Sequence, residues 1–286
     1  MDLWRFEAIG TLWEIEAEQP LDAASISTVS ALIDRFDGTW SRFRADSVVS
    51  RLADGGEAPA PEDAAAMLDL YRELSDATAG AVNPLAGGSL AALGYGADYS
   101  LVAGTAQAAP ADWIETLHWT DAALSLSAPA VIDVGALGKG RLVDLVLAAL
   151  SSVGGGVVVD AGGDLAVRGG SIRVALEHPY DPARAIGVVE VGERALCASA
   201  TNRRAWGDGL HHVLDARTGI PVRSWAATWA LAPDAMLADA ATTALFFDGG
   251  PAFADAHGLD WVRMTTDGRV QASAGFPGEL FLRPDR

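Results

Sequence analysis

Two short apolar runs, each stopping at an aspartate and a glycine turn, set the tightest limits on how this 286-residue chain folds. They are Ala130-Val131-Ile132-Asp133-Val134-Gly135 and Val157-Val158-Val159-Asp160-Ala161-Gly162-Gly163. Runs this short and this apolar read as strands buried on both faces, which hand their loops to a site at the strand ends. Between them, residues from about Lys139 to Leu150 carry apolar side chains at helical spacing.

The flanking chain fits the same mixture. Trp13, Ile15 and Ala17 alternate with Glu14, Glu16 and Glu18 after a break at Gly10, which predicts a hairpin over residues 4–18. Helical spacing over 21–36 and 61–77, with Pro61 suited to a first turn, predicts two helices. Further strands are expected at 172–177, 187–191, 211–215 and 225–231, then a helix near 235–247 and a closing hairpin turning at Asp267-Gly268. The class is therefore α+β or α/β, and with no linker or repeat in view one domain over 1–286 is expected.

Charge narrows the ligands. Lys+Arg 20 against Asp+Glu 38 gives a net charge of -18, which repels nucleic acid over most of the surface. A diphosphate ligand then needs local neutralisation by a metal, a helix N-terminus or a few placed cations. The single cysteine, Cys197, lies among apolar neighbours and reads as a buried inert thiol. With neither a signal-like N-terminus nor an apolar run of membrane-spanning length, a cytoplasmic protein without a membrane span is expected.

Four segments carry residues suited to chemistry, and each also has a purely structural explanation. In Asp133-Val134-Gly135-Ala136-Leu137-Gly138-Lys139-Gly140, glycines permit close approach of a ligand, Lys139 brings a cation and the following helix presents N–H groups. Asp160-Ala161-Gly162-Gly163-Asp164 allows a tight turn or packing against a cofactor. In His211-His212-Val213-Leu214-Asp215, strand alternation sends the two histidines to opposite faces, which disfavours a zinc pair and leaves His212 as a proton acceptor or phosphate contact. Finally, Asp239 and Thr243 are four residues apart on a helix, so a carboxylate and a hydroxyl stack as hard oxygen ligands suited to Mg²⁺. Together these supply what cleavage of a nucleotide diphosphate needs.

The same segments, in this order, resemble the ApbE family of FAD:protein FMN transferases. Ile9-Gly10-Thr11-Leu12-Trp13 is similar to the family's Met-Gly-Thr strand, Trp40-Ser41-Arg42-Phe43-Arg44-Ala45-Asp46-Ser47 to its Ser-x-Phe/Tyr loop, and Thr78-Ala79-Gly80-Ala81-Val82-Asn83-Pro84 to Thr-x-Gly-x-x-Asp-Pro. Leu93-Gly94-Tyr95-Gly96 stands for Leu-Trp-Gly-Phe-Gly. The chain departs from the pattern at Ala198-Ser199-Ala200, where Thr-Ser-Gly is usual, and at Asn83, Leu85 and Ala216.

The resemblance implies an ApbE-like, T-fold-related α+β domain with mixed sheets and packed helices. It implies a magnesium ion held by Asp239, Thr243 and the Ala136 carbonyl, and FAD contacts from Ile9, Phe43, Ala81, Val82, Asn83, Asp133, Lys139 and His212, with Ser199 also lining the site. The implied reaction moves FMN from FAD to a Thr or Ser hydroxyl of an acceptor flavoprotein and releases AMP. His212 is the expected essential residue, and His212, Asp215 and Asp133 are the candidate bases. Two other outcomes follow from the same residues: an FAD pyrophosphatase, or a flavin-binding protein without catalysis.

Overall fold

The computed structural model describes residues 1–281. Its frame is an eight-stranded sheet whose strands lie side by side in the order the chain makes them. They are Asp2–Ala8, Thr11–Ala17, Val157–Asp160, Asp164–Arg168, Ala195–Ala200, Trp225–Ala232, Asp260–Thr265 and Val270–Ala272. The α+β class holds. The sheets, expected to be mixed, are antiparallel at every pairing among the described residues, because neighbouring strands are joined either by tight turns or by excursions that leave and re-enter at the same end of the sheet.

Period-two alternation divides the sheet between two cores. Val157 and Val159 point to the helical side with Ala166, Cys197 and Ala230. Val158, Leu165, Leu196 and Trp229 point to the other side, where Leu176, Val189 and Val191 cover them. That cover is a smaller sheet built on the paired strands Ile172–His178 and Asp181–Val191. Val157-Val158-Val159 is therefore the doubly buried strand that its composition predicts.

The long excursion between Ala17 and Val157 supplies the helices Ala23–Trp40, Ala64–Ala77 and Gly138–Ala149, and Ala235–Ala244 follows later. Asp22 caps the first by accepting from Ser25 N at 2.7 Å. That helix runs to Trp40 rather than stopping near residue 36, and Phe36 and Trp40 on its last turns are buried. Ala130-Val131-Ile132 is a correction: no strand forms there. The segment is threaded between loops, with Ala130 N bonded to Ala53 O at 2.9 Å and Asp133 N to Pro84 O at 2.8 Å. Backbone of the Gly87 helix closes on Val131, whose side chain lies 2.6 Å from where a Gly87 Cβ would sit, so no neighbouring strand has room.

The helices Gly138–Ala149 and Ala235–Ala244 meet at unusually short range. A Cβ on Gly140 would lie 2.1 Å from Ala235 O and 2.8 Å from Asp239 Cβ. Two carboxylates organise the start of the second helix: Asp234 accepts from Leu237 N at 2.8 Å, and Asp144 from Ala235 N at 2.7 Å and Met236 N at 2.9 Å. Both sit at the positive end of the helix, where negative charge is favoured. Gly140→Ala is therefore expected to destabilise the protein by about 1–3 kcal/mol through overpacking. Gly88→Ala, whose Cβ would meet nothing within 4 Å, is expected to leave stability unchanged or slightly raised. Urea denaturation of the two variants checks the contrast.

Candidate active site

Where the Gly138–Ala149 and Ala23–Trp40 helices converge on the loops around residues 81–83, 133–136 and 212–214, the chain encloses a cavity of about 420 Å³. One wall begins at the first hairpin. Ile9 and Gly10 form its two-residue turn with φ of 45° and 73°, and both line the cavity. A β-branched residue at positive φ is strained, and such strain is tolerated where surrounding structure holds it in place.

A second wall is aromatic. Phe43 stands 5.0 Å from Tyr99 and 5.4 Å from Tyr95, and Tyr95 stacks on Trp206 at 5.2 Å. Arg42 lies over this wall, its guanidinium 4.2 Å from the Phe43 ring, and is bound to the Asp133 carboxylate and, at 2.7 Å, to Tyr95 O. Its Nη2 has no hydrogen-bond partner among the described residues. Burial works against the Asp133 charge, but Arg42 and the Gly135 N–H outweigh it and hold the carboxyl below the usual range.

At the far end lies the glycine turn. The Tyr71 hydroxyl donates to Asp133 O at 3.0 Å and accepts from Ala136 N at 3.2 Å, which fixes the path of the turn. Ala136 O in turn accepts from the Thr243 hydroxyl at 3.1 Å. Asp239 is buried, with one carboxylate oxygen accepting from Gly140 N at 2.9 Å. Gly140 thus serves the helix contact and Asp239; Gly135 and Gly138 are the glycines of this segment on the cavity wall.

Lys139 projects from the same turn, donating to Ala161 O at 3.1 Å and lying 2.6 Å from the Asp164 carboxylate. Its ammonium is raised above the ordinary lysine range: burial opposes the charge, and Asp164 and then Asp239 more than offset it. Burial and the charge of Asp164 push the Asp239 carboxyl well above its usual range, with Lys139 acting the other way. A divalent cation beside Asp239 would relieve that burden, and carboxylate, hydroxyl and carbonyl are hard oxygen donors of the kind Mg²⁺ takes. Among the described residues no three His, Cys, Asp or Glu side chains gather as a metal cluster.

The 211–215 strand is a second correction. The chain forms only the fragments Leu210–His211 and Leu214–Asp215, and His212, Val213 and Leu214 in succession line the cavity. Alternation therefore fails here, although the histidines remain apart: His211 Nε2 is held 2.8 Å from Val222 O. Burial, followed by the Arg204 guanidinium, pushes the His212 imidazole down to about 3. Nδ1 of this ring is buried without a hydrogen-bond partner among the described residues. A neutral imidazole keeps one ring nitrogen as a proton acceptor, and the His212 ring lines the cavity.

Ile9, Phe43, Ala81, Val82, Asn83, Asp133, Ala136, Lys139, Ser199, His212 and Thr243 all reach the cavity wall. Asp239 lies behind it, facing Gly140. Asp215 stands apart, its carboxylate gripping Arg217 at 2.6 and 2.9 Å in a surface turn. Sequence reasoning missed Arg42, Tyr71 and the Tyr95–Trp206 stack as parts of the site, which reach the cavity region from segments distant in the chain. Cys197 is buried with Sγ 3.4 Å from Ala235 O, as an inert thiol should be.

The fold and this cavity define an α+β protein in which an apolar, aromatic-walled cleft ends at a cluster of oxygen donors and a lysine. The chain belongs to the ApbE family, whose model matches residues 9–263. It is 30% identical over 307 residues to an FAD:protein FMN transferase of Rhodobacter capsulatus, a match that covers 98% of this chain and 56% of that protein. The chain thus spans about half the length of the curated relative it matches. Among solved structures it resembles the flavin transferase ApbE of Vibrio cholerae, with a TM-score of 0.80 at 24% identity, covering 96% of this chain and 97% of that one. The ApbE protein of Thermotoga maritima aligns with a TM-score of 0.83 at 20% identity, covering 96% and 97% of the two chains. These likenesses establish the fold.

One prediction concerns His212. Because burial disfavours its cation, the ring of the ligand-free protein is expected to stay neutral across roughly pH 5 to 8, seen by NMR as an imidazole with no titration in that window. A transition near the ordinary value of about 6.5 would show that the ring is solvated.

Proposed function

We infer that the chain is a magnesium-dependent FAD:protein FMN transferase. The observation that carries this reading is the joining, in one cavity, of an aromatic wall suited to a flat heterocycle with the polar groups Lys139, Arg204, His212, Ala136 and Thr243 suited to phosphate and metal. The net charge of -18 would repel a diphosphate; the cations among these groups give it a local welcome. The activity of the Rhodobacter capsulatus relative agrees with the reading.

In this account FAD lies along the cavity with its rings against Phe43 and Tyr95 and its diphosphate toward Lys139. Offset or edge-on contact with such rings contributes about 0.5–1.5 kcal/mol beyond area burial. Arg42, with a free Nη2 donor, and Asn83, whose amide is held by Pro110 O at 2.8 Å, orient the polar edges of the ligand. Magnesium, held by Asp239, Thr243 and the Ala136 carbonyl, would supply charge neutralisation at the diphosphate.

A Thr or Ser hydroxyl of the acceptor protein attacks the FMN-side phosphorus, the bond to the bridging oxygen breaks, and AMP departs. Lys139 and Arg204 stabilise the charge that spreads over the phosphoryl oxygens in the transition state. The neutral His212 ring, which lines the cavity, is the group we assign to take the hydroxyl proton; the incoming phosphates favour its cation and so raise its basicity from the low value of the ligand-free protein. Asp133 is committed to Arg42 and Asp215 to Arg217, so neither serves as the base.

The test incubates the protein with FAD, Mg²⁺ and a candidate acceptor and follows AMP release and acceptor mass. Transfer adds one FMN to the acceptor for each AMP released. AMP with free FMN and an unmodified acceptor would instead identify a pyrophosphatase, and no AMP a flavin binder. Asp239→Ala is expected to lower turnover by about 100-fold or more; unchanged turnover would remove the metal assignment.

A further inference from the structure

A second cavity, of about 310 Å³, opens on the opposite side of Ser199 from the flavin cavity, and Ser199 lines both. The partition between them is the Asp160–Asp164 turn. Lys139, on the flavin side, donates to Ala161 O in that turn at 3.1 Å. Asp160, Gly162 and Gly163 face the second cavity, with Gly162 and Gly163 at φ of 68° and 107°. The two cavities therefore meet at the end where the phosphates of FAD are assigned.

The second cavity has the make-up of a site for extended polypeptide. Leu165, Leu196 and Trp229 give it an apolar floor, and Asp160, Glu177 and Arg203 a charged rim. Two strand edges border it. Ile172–His178 is the outer strand of its sheet and pairs only with Asp181–Val191 among the described residues. Ala195–Ala200 pairs with Asp164–Arg168 only as far as Cys197, because the chain turns away at Gly162-Gly163; Ser199 and Ala200 keep a strand partner on one side alone. Open strand edges flanking a pocket are the arrangement by which a sheet takes up an added peptide strand, with the backbone supplying affinity and the pocket selecting side chains.

We propose that this second cavity binds the acceptor polypeptide as an extended segment, so that its Thr or Ser side chain passes Ser199 to reach the flavin phosphate. The inference rests on the transferase reading above. Charge supports a peptide over a second nucleotide: the rim sets Glu177 against Arg203 at 3.2 Å, with Asp160 inside, which disfavours a polyanion and leaves paired charges of both signs for backbone and side-chain contacts. Asp160 already accepts from Gly163 N at 2.9 Å through one oxygen, and a backbone N–H of the docked segment is expected to meet its other oxygen.

The test uses full-length protein, FAD, Mg²⁺ and a pool of synthetic Thr-containing peptides, with mass spectrometry identifying a peptide that gains FMN. Two variants are then compared with wild type on that peptide: Ala200→Trp, which fills the second cavity, and Glu177→Lys, which alters its exposed rim. The expected result is an FAD affinity equal to wild type, an acceptor KM raised by about tenfold or more in Ala200→Trp, and a smaller change of about threefold in Glu177→Lys. FAD binding also reports folding, so if Ala200→Trp does not bind FAD the decision falls to Glu177→Lys. Wild-type acceptor KM in a variant that binds FAD would overturn the docking site and leave the transferase reading standing. Wild-type protein that releases AMP and modifies no peptide would overturn the transferase reading, and this inference with it.

Discussion

The close approach of two helices is the constraint on which the site depends. Gly140 lets the Gly138–Ala149 helix press against the start of Ala235–Ala244, and its N–H then bonds Asp239. One turn further on, Thr243 reaches Ala136 O in the loop that begins the first helix. The contact therefore sets one helix's carboxylate against Gly140 N and its hydroxyl against Ala136 O. Asp144 and Asp234 hold the second helix in register from its N-terminal end, so the Asp239 and Thr243 oxygens rest on a rigid element.

Around that contact the structure balances charges that would each be costly alone. Asp239 and Asp164 are both buried near Lys139, and two carboxylates sharing one ammonium leave negative charge in excess. Such a cluster is a poor stabilising device, because burying ions costs several kcal/mol apiece before pairing returns any of it. It is a sensible arrangement for receiving a divalent cation together with a phosphate. The Arg42–Asp133 pair at the other end of the turn is nearly neutral by comparison, and Arg42 Nη2 is buried without a hydrogen-bond partner among the described residues.

Much of this was legible in the residues. The glycine-rich turn forecast a loop on a cavity wall, while of the i, i+4 pair Thr243 reaches that wall and Asp239 lies behind it against Gly140. The hairpin over the first strands and the doubly buried valine strand followed from alternation and from its absence. The failures share a cause. Ala130-Val131-Ile132 has strand composition but is captured by loop contacts to Ala53 and Pro84, which no local pattern encodes. His212 escapes alternation because its segment breaks after His211 to turn three residues into the cavity. Arg42 meets Asp133 across 91 residues of sequence, and Tyr95 meets Trp206 in the same long-range fashion; periodicity describes an element's faces, not which distant element will cover them.

The account turns on whether the oxygens of Asp239, Thr243 and Ala136 hold a single cation against the phosphates of a flavin nucleotide. A crystal structure of the protein grown with FAD and Mg²⁺ measures this directly. The account predicts one ion at about 2.0–2.1 Å from an oxygen of each of the three residues and in contact with the diphosphate, with the Thr243 hydroxyl released from Ala136 O. An ion bound elsewhere, or FAD seated with Thr243 still donating to Ala136 O, would contradict it.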